Sequence, residues 1–243
     1  MTRNREIPVI SDEDVAFVRG LLIHEDVSLL AFNKPSGLAV QAGNGVVRSL
    51  DGLLAAFARS NGKRPRLVHR LDQGTSGVII AARTKPAAAV LSEAFAGREV
   101  KKTYLALVKG RLPPAETGVA DAALVKVEEG GKSRMILARP DRKGAQTART
   151  GWRVLARQRD CGLMQLSPET GRMHQIRVHL MSIGCPILGD ALYGEGPATA
   201  PRLMLHAARL DFPHPFGTRL VLEAPVPEDF RRAAEAAGIQ SGL

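Results

Sequence analysis

Short apolar runs, separated by Gly, Pro and charged residues, set the pattern of this chain. Runs of this kind that are rich in Val, Ile and Leu are typical of β-strands. Several of the connections between them are only a few residues long. The pattern predicts strands at residues 21–24, 29–32, 77–82, 101–108, 152–155, 162–166, 203–205 and 220–222.

Helices are predicted where apolar residues at helical spacing follow a capping residue. Ser11, Ser49 and Thr84 are suitable N-caps, and Pro227 opens a last helix. The predicted helices lie at residues 11–20, 49–62, 84–97 and 171–184, and from 227 onward. Because strands outnumber helices and several are close neighbours in the chain, we predict an α+β fold with a mixed or mainly antiparallel sheet.

Residues 110–150 differ from the rest of the chain. They are poor in core residues and rich in Gly, Lys and Arg. We therefore expect a hairpin or a mobile loop on the surface here. The segment 126–149 could grip a polyanion, or it could be a solvated surface loop. Its basic residues are Lys126, Lys132, Arg134, Arg139, Arg142, Lys143 and Arg149.

The charge balance favours a polyanionic partner. The 243 residues include 34 Lys and Arg against 24 Asp and Glu, a formal charge of +10. Such an excess indicates nucleic acid first, although a basic soluble protein without such a partner is the alternative. Only 4% of the residues are aromatic, which argues against a broad base-stacking platform.

Cysteine use and the N-terminal sequence indicate the compartment. Cys161 and Cys185 are far apart in the chain, as expected of buried thiols in a reducing compartment. No apolar leader precedes the fold, and no stretch is long enough to span a bilayer. We predict a cytoplasmic protein that is not bound to a membrane.

One polar segment interrupts two apolar runs and organises the rest of the chain. Residues 69–72 read H-R-L-D and are followed, after a short loop, by the buried strand predicted at 77–82. Asp72 could be a catalytic carboxylate with Arg70 beside it. From these residues alone, a local ion pair with Arg70 at a strand end is the favoured alternative, because such pairs are common and weak.

A second polar cluster, at residues 169–179, opens a predicted helix. His174 and His179 are five positions apart and so lie on different helix faces, unlike the ligands of a zincin motif. We predict no metal site, and instead a basic cluster with Arg172 and Arg177 that binds phosphates or a carboxylate. The G-G-K-S at 130–133 lacks the first glycine of a P-loop, which would have to stand at Lys126.

Five motifs, in order, carry a family resemblance. H-R-L-D-Q-G-T-S-G at 69–77 resembles the signature of the RluA-type pseudouridine synthases. N-K-P-S-G at 33–37, K-T-Y at 102–104, G-R-M-H-Q-I-R-V-H at 171–179 and L-H-A at 205–207 resemble further elements of that family. The likeness covers residues 21 to 225.

The resemblance implies a fold and an activity. The fold would be a mixed, mainly antiparallel sheet with flanking helices and a central cleft. The activity would be isomerisation of uridines in ribosomal or transfer RNA to pseudouridine, without cofactor or metal. The implied organisation is an arm and short helix at 1–20, a catalytic domain at 21–226 and a C-terminal helix and tail at 227–243. About twenty residues before the core are too few for an S4 domain, and a monomer is the default expectation.

The resemblance also implies roles for individual residues. Asp72 matches the essential aspartate, and Arg177 the basic residue that pairs with it. Tyr104 matches the tyrosine that packs against the target base and helps to take its C5 proton, although a core tyrosine is the alternative. Further residues implied to contact the RNA are Arg70, Thr75, Arg172, His174 and Leu205.

The chemistry requires one ionised carboxylate near C1′ and C2′ of a flipped-out nucleotide. This group attacks C1′ or abstracts the C2′ proton, and the sequence leaves both routes open. Two other classes of protein are also open: a non-catalytic RNA-binding or ribosome-assembly factor on the same fold, and a glycoside hydrolase with Glu169 as the second carboxylate.

Overall fold

The computed structural model describes residues 10–43, 46, 48–129 and 132–239, with residue 132 by its backbone alone. Nearly all of the predicted N-terminal arm, the glycines at 130 and 131 and the last residues of the tail lie outside the described residues.

Twelve strands are present in the described part of the chain. Ten of them form one sheet, and the other two form a separate hairpin. The strands are β1 (Leu22–Glu25), β2 (Leu29–Lys34), β3 (Arg66–Leu67), β4 (Ser76–Ala82), β5 (Lys101–Lys109), β6 (Thr117–Asp121), β7 (Leu124–Glu129), β8 (Lys132–Leu137), β9 (Arg149–Gln158), β10 (Cys161–Pro168), β11 (Leu205–Pro213) and β12 (Arg219–Glu223).

The large sheet runs in the order β1-β2-β4-β11-β5-β10-β9-β6, with β3 paired to β4 and β12 paired to β11. Within the described residues, β4 and β11 pair in parallel and the other strand pairs are antiparallel. The predicted α+β class with a mixed, mainly antiparallel sheet is therefore confirmed.

The helices begin where the capping residues predict. The side chains of Ser11, Ser49 and Thr84 each accept the N–H of the residue three positions later, at 3.2–3.3 Å. The helices are α1 (Asp12–Gly20), α2 (Leu50–Leu53), which continues as a 3₁₀ turn over Leu54–Phe57, α3 (Lys85–Ala96), α4 (Gln175–Ser182) and α5 (Glu228–Ala236).

The central strands are buried on both faces. Leu30 and Phe32 of β2 pack in the cluster that includes α1 and α2, whereas Leu29 and Ala31 pack in the cluster that includes α3. This division follows from the alternation of side chains along a strand. It also explains why β2 and β4 are continuous apolar runs.

Both terminal helices contribute to the core. Val18 of α1 and Phe230 of α5 are fully buried in separate hydrophobic clusters. The domain boundaries predicted at residues 20 and 226 stay a prediction.

Residues 110–150, predicted to be poor in core residues, contain regular structure and several core positions. β6 extends the large sheet beside β9, and β7 and β8 form the hairpin that was one of the two expectations. Leu124, Met135 and Ala148 are buried in a cluster with Val178 and Tyr193. The apolar residues of this segment are few, but their partners are supplied by α4 and by the loop after it.

The cysteines are free, and Cys185 is buried as predicted, whereas Cys161 is only half-buried. Among the described residues, no helix has the length and apolar character needed to cross a membrane.

Candidate active site

Asp72 lies in an irregular loop and not in a strand. β3 ends at Leu67, and residues 68–75 lead to β4 without regular structure. The loop closes with a turn in which Thr75 N–H donates to the Asp72 carbonyl at 3.0 Å. Arg70 is exposed, and the nitrogen atoms that approach the Asp72 carboxylate within 4.0 Å are those of the His174 imidazole and the Arg177 guanidinium. The described structure thus contains no local Arg70–Asp72 ion pair.

His69 fixes the start of this loop on the sheet. Its Nε2 accepts the Ile80 N–H at 2.9 Å, and its ring stacks on Phe95 with centroids 4.5 Å apart. Burial lowers the pKa of His69 to about 3, so that the ring is neutral at physiological pH. His69 of the 69–77 motif therefore has a structural role, since it anchors the Asp72 loop to the sheet.

Lys34 fixes the far side of the same loop. Its buried ammonium donates to the carbonyls of Pro35, Leu38 and Gln73 at 2.9, 2.9 and 3.2 Å. Burial lowers the pKa of Lys34 to about 7, while the negative charge of Asp72 opposes the shift. The N-K-P-S-G motif thus ties an early loop to the residue directly after Asp72.

A glycine brings two of the motifs together. Gly77 has φ of +119°, and a Cβ at this position would lie 2.2 Å from the carbonyl oxygen of Ala207. This close approach lets β4 and β11 pair in parallel, and Ser76 Oγ lies 3.0 Å from His206 Nδ1 across the pair. Leu205 is thereby placed beside the Asp72 loop.

A buried glutamine orders the second polar cluster. Gln175 Oε1 accepts from Thr170 Oγ1 at 2.6 Å and from the Arg172 N–H at 3.0 Å, and its Nε2 donates to Thr150 Oγ1 at 2.9 Å. The residue before it, His174, has φ of +52°, in the left-handed region that residues other than glycine rarely adopt. Such backbone conformations persist where the surroundings impose them, and they are frequent at functional sites.

Arg177 lies between two carboxylates. Its Nη1 is 3.5 Å from Asp72 Oδ2, while its Nε and Nη2 each donate to Asp190 at 2.8 Å. The structure thus brings the predicted partner to Asp72, but the closer and bidentate partner of Arg177 is Asp190.

Asp190 is the residue that the sequence interpretation missed. Its side chain is fully buried, and its Oδ1 also accepts the N–H groups of Leu192 and Tyr193 at 2.9 and 3.1 Å. Burial alone would raise the pKa of Asp190, but the bonds and charge of Arg177 outweigh it and the pKa is lowered. The same pairing raises the pKa of Arg177 against the effect of its own burial.

Tyr193 supports two of the groups around Asp72. Its ring lies 4.9 Å below the Arg177 guanidinium, and its hydroxyl oxygen lies 2.9 Å from His174 Nδ1. The same oxygen accepts the Met135 N–H at 2.8 Å, which connects β8 to the site. His174 Nε2 is 4.0 Å from Asp72 Oδ2, and burial lowers the pKa of His174, so that it is mainly neutral. A signal for Tyr193 existed in the sequence, since the chain has only two tyrosines.

These groups surround a cleft of about 580 Å³. A second cleft of about 570 Å³ also borders Asp72. Besides Asp72, four residues line both clefts: Arg70, Leu71, His174 and Arg177. Every residue that the sequence singled out for the site lines the first cleft: Arg70, Asp72, Thr75, Tyr104, Arg172, His174, Arg177 and Leu205.

Tyr104 lies in the wall of the cleft on β5. Its ring packs against two of the hydrophobic clusters and also lines the cleft. The two alternatives, a core tyrosine and a site tyrosine, therefore both describe Tyr104. Burial and the negative charge of Asp72 raise the pKa of Tyr104, which keeps the phenol protonated at neutral pH.

His179 is turned away from the cleft. Its Nδ1 lies 2.9 Å from Thr150 Oγ1, and its Nε2 lies 3.1 Å from the Ala122 carbonyl oxygen. Within residues 10–239, as far as the structure describes them, no three His, Cys, Asp or Glu side chains are grouped as metal ligands. Glu169 lines the cleft, but its carboxylate is bound to Arg149 at 2.9 Å.

Comparison with known proteins places the chain in one family. A family model described as RNA pseudouridylate synthase matches residues 28–182. Ribosomal large subunit pseudouridine synthase D of Nitrosomonas europaea is 39% identical over 228 residues, which cover 88% of this chain and 64% of that protein. Ribosomal large subunit pseudouridine synthase C of Escherichia coli is 35% identical over 234 residues, which cover 92% of this chain and 72% of that protein.

A solved structure agrees with the sequence comparisons. The structure titled human RNA pseudouridylate synthase domain containing 4 superimposes with a TM-score of 0.75 at 28% identity, over 93% of this chain and 97% of that chain. The family model covers more than half of the sequence, and the relatives exceed 30% identity. The chain therefore belongs to the RNA pseudouridylate synthase family.

Proposed function

We propose that this protein isomerises uridines in ribosomal RNA, with Asp72 as the reacting carboxylate. The observation that carries the proposal is the position of that carboxylate. Asp72 borders the cleft with its Oδ2 3.5 Å from Arg177 Nη1, and Tyr104 and Leu205 line the same cleft. One carboxylate, one guanidinium and one phenol are the groups that this reaction uses.

The reaction breaks the N1–C1′ bond, turns the uracil and joins C5 to C1′. C5 loses a proton and N1 gains one, so that no water, oxidant or reductant is consumed. Asp72 either attacks C1′ or takes the C2′ proton, and both routes need the ionised carboxylate. Arg177 Nη1, 3.5 Å from Asp72 Oδ2, supplies the positive charge that faces this carboxylate.

Asp190 positions the arginine for this task. An arginine that faced Asp72 alone could adopt other rotamers or draw the carboxylate into a closed ion pair. The bidentate bonds from Asp190 fix the plane of the guanidinium and leave Nη1 directed at Asp72. The longer contact, at 3.5 Å, leaves the Asp72 oxygen available to the ribose.

RNA binding has to offset the cost of extruding the uridine from its stack, which is on the order of a few kcal/mol. Arg70 and Arg172 line the cleft and supply positive charge close to the reacting atoms. Phosphate contacts of this kind make the affinity fall with salt.

The segment 126–149 extends the basic surface, and we propose that it contacts the RNA. Several of its basic residues are paired with acids: Lys126 with Glu128, Arg134 with Glu129, Arg139 with Asp141, and Arg149 with Asp121 and Glu169. In the described part of the chain, no acid lies within ion-pair distance of Arg142 or Lys143. Among the cations of the segment whose side chains the structure describes, these two are open to a phosphate.

The choice of ribosomal RNA is supported by the names of the relatives, two of which are ribosomal large subunit pseudouridine synthases. Mapping pseudouridines in total RNA from cells with and without the gene tests it. We expect one or more positions of the large-subunit RNA to lose the modification in the deletion strain and to regain it on complementation. Loss confined to transfer RNA would assign the other substrate that the sequence left open.

Removing the hydroxyl of Tyr104 tests its role in the chemistry. Tyr104→Phe keeps the ring against the core and the base, so RNA affinity and melting temperature should match those of the wild type. Because the phenol is protonated at neutral pH, it can take the C5 proton only as it releases its own hydroxyl proton. Without the hydroxyl we expect release of the C5 proton to slow by at least about 100-fold, the lower range for a positioned acid–base group. Tritium release from RNA labelled at uridine C5 measures it. A rate within about threefold of the wild type would reduce Tyr104 to a packing role, because a contribution to proton transfer is larger than this.

A further inference from the structure

The turn after α3 has an arginine where glycine is usual. The Glu99 N–H donates to the Ala94 carbonyl at 2.9 Å, and the Arg98 N–H donates to the Phe95 carbonyl at 3.3 Å. These two bonds define a Schellman motif, in which the residue after the C-cap takes the left-handed conformation. The helix ends at Gly97 as the sequence predicted, since Gly97 is the C-cap with φ of −74°. The left-handed residue is the next one, Arg98, with φ of +61°.

An arginine at this position is unfavourable for the turn itself. Glycine adopts the left-handed conformation freely, whereas a Cβ penalises it. Arg98 is exposed and lines the cleft that contains Asp72. The turn therefore presents a long cationic side chain at the mouth of the cleft, at the expense of a better backbone fit.

Lys102 lies on the same wall of the cleft. Its Nζ donates to the Thr170 carbonyl at 3.2 Å, and the ammonium has two further hydrogens for another acceptor. Burial lowers the pKa of Lys102, and the positive charge of Arg98 adds to the shift. The two cations are thus close enough to repel each other.

Within the described residues, no carboxylate lies within ion-pair distance of Arg98 or Lys102. Other cations of the chain do have such partners: Lys109 pairs with Glu195, and Arg149 with Glu169. Glu169, which lines the same cleft, is held by Arg149. Two adjacent cations without an acid are stabilised by an anion that binds between them. A fork of guanidinium donors beside an ammonium is suited to the two free oxygens of a phosphodiester.

We propose that Arg98 and Lys102 form a subsite for one backbone phosphate of the RNA, next to the flipped uridine. The identity of the ligand rests on the proposed function, since RNA is what brings a phosphodiester to this cleft. Phe95, which stacks on His69 at the start of the Asp72 loop, belongs to the same turn. A phosphate bound here would therefore have a fixed position relative to the Asp72 loop.

Arg98→Gly tests the subsite without damaging the fold. Glycine suits the left-handed position, so the melting temperature should stay equal or rise by about 2–4 °C. We expect the affinity for a labelled oligouridylate of about 15 nucleotides to fall by about tenfold at physiological salt, and the slope of log affinity against log salt to shrink by about 0.7. With a convertible RNA, KM should rise while kcat is unchanged.

Arg159→Gly is the matched control. Arg159 is also an exposed arginine in the left-handed region, with φ of +43°, but it lies in the β9–β10 turn and lines neither cleft. The substitution removes the same charge from the same kind of turn. The affinity of Arg159→Gly for the oligouridylate should therefore stay within about twofold of that of the wild type.

Equal losses in the two variants would show a general charge effect and overturn the subsite. Equal affinities of all three proteins, including no measurable binding by the wild type, would overturn it as well. Binding is measured without turnover, so a failure of the Asp72 chemistry would leave this result readable. A neutral methylphosphonate at the contacted linkage should abolish the difference between the wild type and Arg98→Gly, and a difference that persists at every linkage would exclude a phosphate contact.

Discussion

Asp72→Asn is expected to bind RNA with the affinity of the wild type and to convert uridine at least about 10⁴-fold more slowly, as is typical when a reacting nucleophile is removed. The amide has the size of the carboxylate, but it neither attacks C1′ nor accepts the C2′ proton. The fold should be retained, because Arg177 keeps its bidentate partner Asp190 and the loop keeps its anchors at Lys34 and His69. Nucleoside analysis of RNA after incubation measures conversion, and an electrophoretic shift measures binding.

Asp160→Asn is a suitable control for the removal of one negative charge. Asp160 is exposed and lines neither cleft. Its conversion rate should equal that of the wild type. If Asp72→Asn lost binding together with conversion, Asp72 would be a structural residue of the loop, and the proposed chemistry would need another carboxylate.

Asp190→Asn is expected to reduce both stability and activity. The amide cannot neutralise the buried Arg177, which then has only Asp72 as a counter-charge at 3.5 Å. Breaking one side of a buried ion pair costs on the order of 3–5 kcal/mol, and the hydrogen bonds that an amide still accepts reduce this to about 2–4 kcal/mol. The guanidinium also loses its fixed plane, so we expect the conversion rate at a temperature where the protein is folded to fall by about 100-fold or more.

Asp229→Asn is the matched control for this prediction. Asp229 makes the same bidentate contact with Arg202, at 2.6 Å for both bonds, but its side chain is 49% exposed. Its loss should cost about 1 kcal/mol or less and leave the conversion rate unchanged. Denaturant unfolding and nucleoside analysis of the two variants measure both effects. Equal destabilisation by the two substitutions would contradict the claim that the burial of Asp190 makes its ion pair the more costly one to break.

The pKa of Asp190 gives this pair a pH dependence. Its pKa is lowered in the folded protein, so the stability that it contributes is fully present above its ordinary pKa of 3.8. That contribution is lost as the pH falls toward the lowered value. Acid unfolding should therefore depend less steeply on pH in Asp190→Asn than in the wild type.

The sequence predicted the family, and which residues the fold brings to one cleft, because the motifs are local. Each of the eight residues carried by the resemblance lies in a short motif, and all eight line one cleft. The family, the fold class and the RNA pseudouridine synthase activity expected from them are confirmed. The roles of Asp72, Tyr104 and Arg177 stay predictions, as do the cytoplasmic location and the monomeric state.

The residues that escaped prediction depend on long-range geometry. Asp190 lies in the Gly- and Pro-rich loop between α4 and β11, and no periodicity of the sequence indicates that this loop brings its carboxylate back to Arg177. The left-handed conformation of Arg98 was equally hidden, because a glycine stands one position earlier and is the usual residue for such a turn. The core positions of β7 and β8 could not be seen, since their partners lie in α4 and in the loop that carries Tyr193.

Tritium release from RNA labelled at uridine C5, with the wild type and Asp72→Asn side by side under single-turnover conditions, tests the central claim most directly. The wild type is expected to release tritium in proportion to the pseudouridine formed, and Asp72→Asn is expected to release none above background while still binding the RNA. Release by Asp72→Asn at a rate near that of the wild type would contradict the assignment of Asp72 as the reacting carboxylate.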